Sequence, residues 1–204
     1  MKSMIKDAVI LFVITVIAGL ILGFIFQLTK GPIAAEEQAQ KMEACKNVFA
    51  DAATFETKDG FSEEDAATQI AAGGFKSQDV NEVMTAKDAS GSTIGYVVTV
   101  TSHEGYAGDI KFSMGIKSDG TLNGISLLSI AETAGLGMKA DDVLVPQFKN
   151  KKVEKFSYIK NSETTSDDQI QAISGATITT NAMTNAVNAG MYYFQNALEG
   201  GSAK

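Results

Sequence analysis

Arginine and tryptophan are missing from this chain, and cysteine and histidine each occur once. With no arginine, and 24 acidic residues against 17 basic ones for a net charge of −7, it has no basic face for nucleic acid. The single Cys45 cannot form an internal disulfide, and no Cys/His cluster exists to hold zinc, haem or an iron–sulfur centre. Cys45 shares a probable helix face with Met42, Phe49 and Ala52, so a buried, inert thiol is expected. The lone His103 sits in a polar stretch, Thr101-Ser102-His103-Glu104, without a nucleophile–acid arrangement, and reads as a solvated loop residue. What remains is ordinary for a globular protein: 45% hydrophobic, 20% charged, and 204 residues, enough for one domain plus an appendage.

The appendage is at the start. Ala8 to Phe26 is an apolar run without a charge. As a helix these 19 residues span about 28 Å at ~1.5 Å per residue, close to a hydrocarbon core of ~30 Å. A cleaved signal peptide has an apolar region of only about 7–15 residues and then a small-residue cleavage site. Here the run is longer and ends in Gln27-Leu28-Thr29-Lys30-Gly31-Pro32, so a retained anchor is expected. Lys2 and Lys6 precede it, whereas Glu36 and Glu37 follow Lys30, a bias that places the N-terminus inside. The expected organisation is a cytoplasmic segment 1–7, a transmembrane helix 8–29 and an extracytoplasmic domain 30–204.

Within the domain, residues 34 to about 54 read as an amphipathic helix, and 56–74 as a solvated loop or short helix. The β-branched run Tyr96–Thr101 is a strand. Ile110, Phe112, Met114 and Ile116 alternate with polar or small residues as a half-buried strand. A Ser118-Asp119-Gly120 turn returns the chain along Leu122–Ile130. Met183, Val187, Gly190/Met191, Phe194 and Leu198 recur at helical spacing, and Thr179, Thr180 or Asn181 can cap that helix. Tyr192 and Tyr193 fall on its core and its surface. Strands followed by a helix, without βαβ alternation, make an α+β domain.

Chemistry is concentrated just before that last helix, in Ser174-Gly175-Ala176-Thr177-Ile178-Thr179-Thr180. Small residues and hydroxyls at a helix start, with its free N–H groups and positive dipole end, suit a phosphate. The same residues are more often simple caps. A second stretch, Glu132-Thr133-Ala134-Gly135-Leu136-Gly137, is a glycine-rich loop after a strand.

Ser-Gly-Ala-Thr followed by a hydrophobe and Thr resembles the flavinylation signature of the FMN-binding domain family, and the second stretch resembles its Glu-Thr-Pro-Gly-Leu-Gly loop. Gly105-Tyr106-Ala107-Gly108-Asp109-Ile110 is similar to the family's segment leading into a core strand. With Leu28–Ile33, these motifs run in the family's order from anchor to terminal helix. The whole plan resembles the G-subunit branch of the Rnf electron-transport complexes, related to the C-subunit branch of the sodium-pumping NADH:quinone reductases. Two positions depart from the pattern: Gln171 stands where an Asp is common, and Ala134 where Pro is usual.

The resemblance implies a cofactor, FMN, bonded through its phosphate to Thr177 by a separate flavin transferase. Ser174, Gly175, Ala176, Thr179 and Thr180 would surround the phosphate. Glu132, Thr133, Gly135, Leu136 and Gly137 would pack on the ring. It implies an electron-transfer subunit of an ion-translocating ferredoxin:NAD oxidoreductase, partnered by the other membrane subunits of an Rnf-type complex. Two other functions use the same residues: a tethered module binding an anion non-covalently, and a stand-alone flavoprotein reductase. With no nicotinamide-binding glycine fingerprint and no cysteine cluster, NAD and ferredoxin are expected on other subunits.

Overall fold

The computed structural model describes residues 2–160 and 164–199; residues 1, 161–163 and 200–204 of the expected segments lie outside this range. Contacts divide the chain into two units, Met1–Gln40 and Lys41–Lys204.

The first unit is helix. α1 runs from Lys2 to Val48, and its N-terminal part is long and apolar enough to cross a membrane, with none of the apolar stretch buried. The hydroxyls of Thr15 and Thr29 donate to carbonyls one turn back, Leu11 at 3.1 Å and Ile25 at 3.0 Å. A helix in hydrocarbon needs this, because water is not there to satisfy them. Pro32 lies inside α1 without ending it. The expected separate helix over 34–54 is therefore the continuation of α1, and it stops at Val48 rather than near Thr54.

The second unit is α+β, as the pattern of strands and helix predicts. Its centre is a five-stranded antiparallel sheet in simple meander order: β1 (Thr54–Thr57), β2 (Gln78–Lys87), β3 (Thr93–Ser102), β4 (Ile110–Lys117) and β5 (Leu122–Ile130). The β4–β5 hairpin falls where alternation put it, and Gly120 turns it with φ of 83°. β2 was not legible because an irregularity between Val80 and Glu82 breaks its period of two, so Val80 and Val83 face the same core. The 56–74 stretch supplies the end of β1 and α2 (Glu63–Ala72), capped by the Ser62 hydroxyl.

Each sheet face buries a different partner. Val98, Val100, Phe112, Met114 and Ile116 join the main core with α2 and with α4 (Thr177–Tyr193), where Met183, Val187 and Met191 are buried as spaced. Phe194 and Leu198 continue the buried stripe in the π-helical turn (Phe194–Glu199) that follows α4. Tyr193 packs edge-on to Phe61 and Tyr192 lies against Phe75. On the opposite face, Met84, Ala86 and Val97 meet Cys45, Val48 and Phe49 from the end of α1. That contact depends on a missing side chain: a Cβ on Gly115 would stand 2.9 Å from the Cβ of Val48. The Asn123 amide donates to the Val48 carbonyl and closes the seam.

Between the sheet and α4 the chain makes a 3-10 turn (Gly137–Lys139), α3 (Ala140–Val143) and a second 3-10 turn (Val145–Phe148). Two short parallel strands follow, β6 (Ser157–Ile159) and β7 (Gln169–Gln171). Buried Asn188 of α4 holds this region by both sides of its amide, accepting from Phe156 N–H at 2.7 Å and donating to its carbonyl at 2.9 Å.

Candidate functional site

Three connections meet at the start of α4: the β3–β4 loop, the loop leaving β5, and residues 172–176 after β7. They enclose a cleft of about 460 Å3 lined by Tyr106, Glu132, Thr133, Leu136, Gly137, Gly175, Ala176, Thr177, Ile178 and Thr179. Two stretches more than thirty residues apart in sequence thus face one space, of a size that holds a small cofactor.

Glu132 ties the three together. Its buried carboxylate accepts from Tyr106 N–H at 2.7 Å and from the Thr179 hydroxyl at 3.1 Å. Gly137 marks a close approach between loop and helix. A Cβ there would meet Thr179 Oγ1 at 2.6 Å and the Glu132 Cβ at 2.7 Å, so any side chain would force the walls apart.

α4 starts at Thr177, with Ala176 as an N-cap that offers no side chain to the helix. Thr179, Thr180 and Asn181, expected as possible caps, therefore lie inside it. Their hydroxyls separate the threonines by role. Thr180 donates to Ala176 carbonyl at 3.0 Å and accepts from Ile173 N–H at 3.1 Å, while Thr179 is committed to Glu132. Thr177 is half-buried on the cleft wall, and among the described residues its hydroxyl has no hydrogen-bond partner. The N–H groups of Thr177, Ile178 and Thr179 are likewise without acceptors among the described residues.

Of the residues singled out in sequence, Ser174 is exposed and Gly135 occupies the loop's turn; neither lines the cleft, and Thr180 lies buried behind it. Tyr106 and Ile178 do line it and were not assigned to the site. Exposure flags them: Tyr106, Leu136, Met138 and Ile178 are the exposed large hydrophobics among the described residues of the second unit. Gln171 is exposed and held through its backbone, which pairs with both ends of the Gln147 amide. Tyr192 and Tyr193 line no part of the cleft.

His103 is more constrained than a free loop residue. Nε2 lies 2.8 Å from Asp79 and Nδ1 2.9 Å from Asp109, so it clasps both ends of the β3–β4 loop to β2. Hydrogen bonding to Asp79, then to Asp109, raises its pKa above the ordinary histidine value. Cys45 is buried, and burial pushes its thiol up to about 11.

Residues 105–191, which include the whole cleft, match the FMN-binding domain, and residues 1–48 match the RnfG N-terminal region. Along 96% of its length the chain is 34% identical to the G subunit of the Na+-translocating ferredoxin:NAD+ oxidoreductase complex of Acetobacterium woodii, covering 93% of that protein. The chain belongs to the RnfG family. The G subunit of the proton-translocating ferredoxin:NAD+ oxidoreductase complex of Clostridium ljungdahlii is 32% identical over 84% of this chain and 80% of its own length. That of the ion-translocating oxidoreductase complex of Methanosarcina acetivorans is 29% identical over 94% and 95%. The crystal structure of Shewanella oneidensis NqrC superposes with a TM-score of 0.53 at 22% identity, and the match spans 62% of either chain, a likeness of fold.

This RnfG-family cleft fits the group its domain is named for. Leu136, Ile178 and Tyr106 offer exposed apolar surface for a flat ring, and three unpartnered N–H groups at a helix start offer a phosphate site.

Proposed function

We propose that this chain is the FMN-carrying electron-transfer subunit of a membrane-bound, ion-translocating ferredoxin:NAD+ oxidoreductase, with the FMN phosphate esterified to Thr177. The observation that carries the reading is Thr177 itself. It is the first-turn threonine whose hydroxyl is unspent, and it stands in the cleft beside three free N–H groups.

When bound, FMN supplies the redox chemistry, taking up and releasing electrons singly or in pairs. The protein's own residues hold and orient it. The N–H groups of 177–179 and the positive end of α4 receive phosphate oxygens without any cationic side chain in the cleft lining. That arrangement favours an ester over free binding. As a diester of the ribityl chain and Thr177 the phosphate carries about one negative charge, whereas the monoester of unattached FMN carries about −1.5 to −2, and Glu132 already lies in the cleft. Leu136, Tyr106 and Ile178 cover the ring, Gly137 keeps loop and helix close, and Ala176 leaves the hydroxyl approachable by a flavin transferase.

In this reading α1 anchors the chain with residues 1–7 in the cytoplasm, 8–29 across the membrane and the domain from residue 30 outside. The other membrane subunits of the complex are its partners, and NAD+ and ferredoxin bind to them.

The test is intact-mass analysis of full-length protein produced with and without a flavin transferase. The expected outcome is one FMN adduct, dependent on the transferase, mapped to the Thr177 peptide and lost in Thr177→Ala but kept in Ser174→Ala. An adduct that survives Thr177→Ala, or none after co-production, overturns the covalent reading.

A further inference from the structure

β5 is the last strand of the sheet, so one row of its backbone groups faces outward. Such edges invite pairing, and proteins usually guard them with charge, proline, a bulge or a cover. The first part of this edge is covered: Leu122 exchanges backbone bonds with Lys151 at 2.8 and 3.0 Å, and Asn150 donates to Asn123. From Gly124 to Ile130 the sequence, Gly-Ile-Ser-Leu-Leu-Ser-Ile, has neither charge nor proline. Among the described residues its outer side has no backbone partner. Its one guard is the irregularity at Leu128.

Alongside that open edge runs a groove of about 610 Å3, walled by Leu127–Ile130 on one side and by Met138, Asp141 and Asp142 on the other. Four extended residues need about 13 Å of length at ~3.3 Å each, which matches the four strand residues on its wall. Three of the second unit's exposed large hydrophobics, Tyr106, Leu136 and Ile178, line the cleft, where FMN would cover them. Met138 is the fourth, 43% exposed, and it belongs to the groove. Its adaptable side chain suits contact with another chain.

We propose that this groove receives an extended segment of a neighbouring protein subunit, laid along the β5 edge with a lysine or arginine facing Asp141 and Asp142. The charge pattern selects that occupant. Both charged residues on the lining are acidic and no cation joins them, Lys139 included. A second copy docked edge to edge would set acids against acids, and an anionic lipid surface would be repelled. The choice of a redox neighbour rests on the proposed function. Leu136 in the cleft and Met138 in the groove are separated by Gly137 alone, two Cα steps of ~3.8 Å each. A segment docked there stands beside the flavin.

The experiment uses the full chain in membranes that contain the whole complex. Cys45 is buried, so Ser129→Cys gives this chain a single accessible thiol for a benzophenone-maleimide photo-cross-linker. Asp59→Cys, beyond the opposite edge strand β1, is the control. The expected result is an adduct from position 129 to one other protein chain, absent from position 59. Asp141→Lys/Asp142→Lys should lower its yield about tenfold, as should high salt. No adduct above the control, an adduct to a second copy or to lipid only, or a yield indifferent to the two substitutions overturns the proposal. Flavin content is read by mass on the same samples. Full flavin without the adduct rejects the groove alone, whereas the adduct on flavin-free protein rejects the FMN reading alone.

Discussion

Glu132→Ala should be the most damaging single truncation in the cleft. Its carboxylate receives two hydrogen bonds, from Tyr106 N–H and the Thr179 hydroxyl, and these join the β3–β4 loop to α4 across the loop leaving β5. Hydrogen bonds to a charged group are worth about 1.5–3 kcal/mol each, and a buried donor left alone costs about 1–3 kcal/mol. Water entering the cleft can reach both donors, which holds the loss near 3 kcal/mol rather than its doubled value. At ~2–4 °C per kcal/mol for a chain of this size, the melting temperature should fall by roughly 6–12 °C. Glu132→Gln keeps an acceptor for Tyr106, and its amide can donate to the Thr179 oxygen, so it should cost only about 1 kcal/mol. Without tryptophan, near-ultraviolet circular dichroism of the tyrosines is the signal to follow on full-length protein in detergent. The yield of FMN adduct should fall in the same order. The reasoning is refuted by an alanine variant melting within about 2 °C of the parent, or by a glutamine variant as damaged as the alanine one.

Other expectations follow from the same structure. Cys45, with its thiol raised to about 11 by burial, should resist maleimide at pH 8 in the folded protein and react fully in denaturant, as followed by mass. Gly115→Ala should cost about 1–3 kcal/mol in chemical denaturation, because its methyl would stand 2.9 Å from Val48 and part α1 from the sheet. His103 is raised in the folded state, so its contribution is fully present below the unfolded value of about 6.5 and is lost as pH rises through the folded pKa. The ring is 43% exposed, so that contribution is under about 1 kcal/mol. The melting difference between the parent and His103→Ala should accordingly be largest near pH 6 and shrink towards pH 9; a difference that grows with pH refutes the clasp.

Legibility followed periodicity. The β4–β5 hairpin and the α4 stripe were readable because Ile110–Ile116 keep a period of two and Met183, Val187 and Met191 a helical one. β2 was not, since the irregularity after Val80 places Val83 on the same face as Val80. The length of α1 was underestimated at Gly31-Pro32, where a helix breaker sits inside an unbroken helix. In the site, the small residues and hydroxyls before α4 announced themselves. Tyr106 did not, because its place depends on a backbone bond to Glu132, 26 residues away.

By itself the sequence determined the apolar first helix, the α+β class and two loops rich in glycine and threonine, since each is a local pattern of side-chain type. The motif's resemblance points to Thr177, but why its hydroxyl alone among the threonines at this helix start is left without a partner was decided only by tertiary structure. Ser174, Thr177, Thr179 and Thr180 are alike as hydroxyls in a string of letters. Folding exposes the first, commits the third to Glu132 and the fourth to the chain before the helix, and leaves Thr177 on the cleft wall with its hydroxyl unspent. Hydrogen-bond partners come from distant strands, and no local pattern contains them.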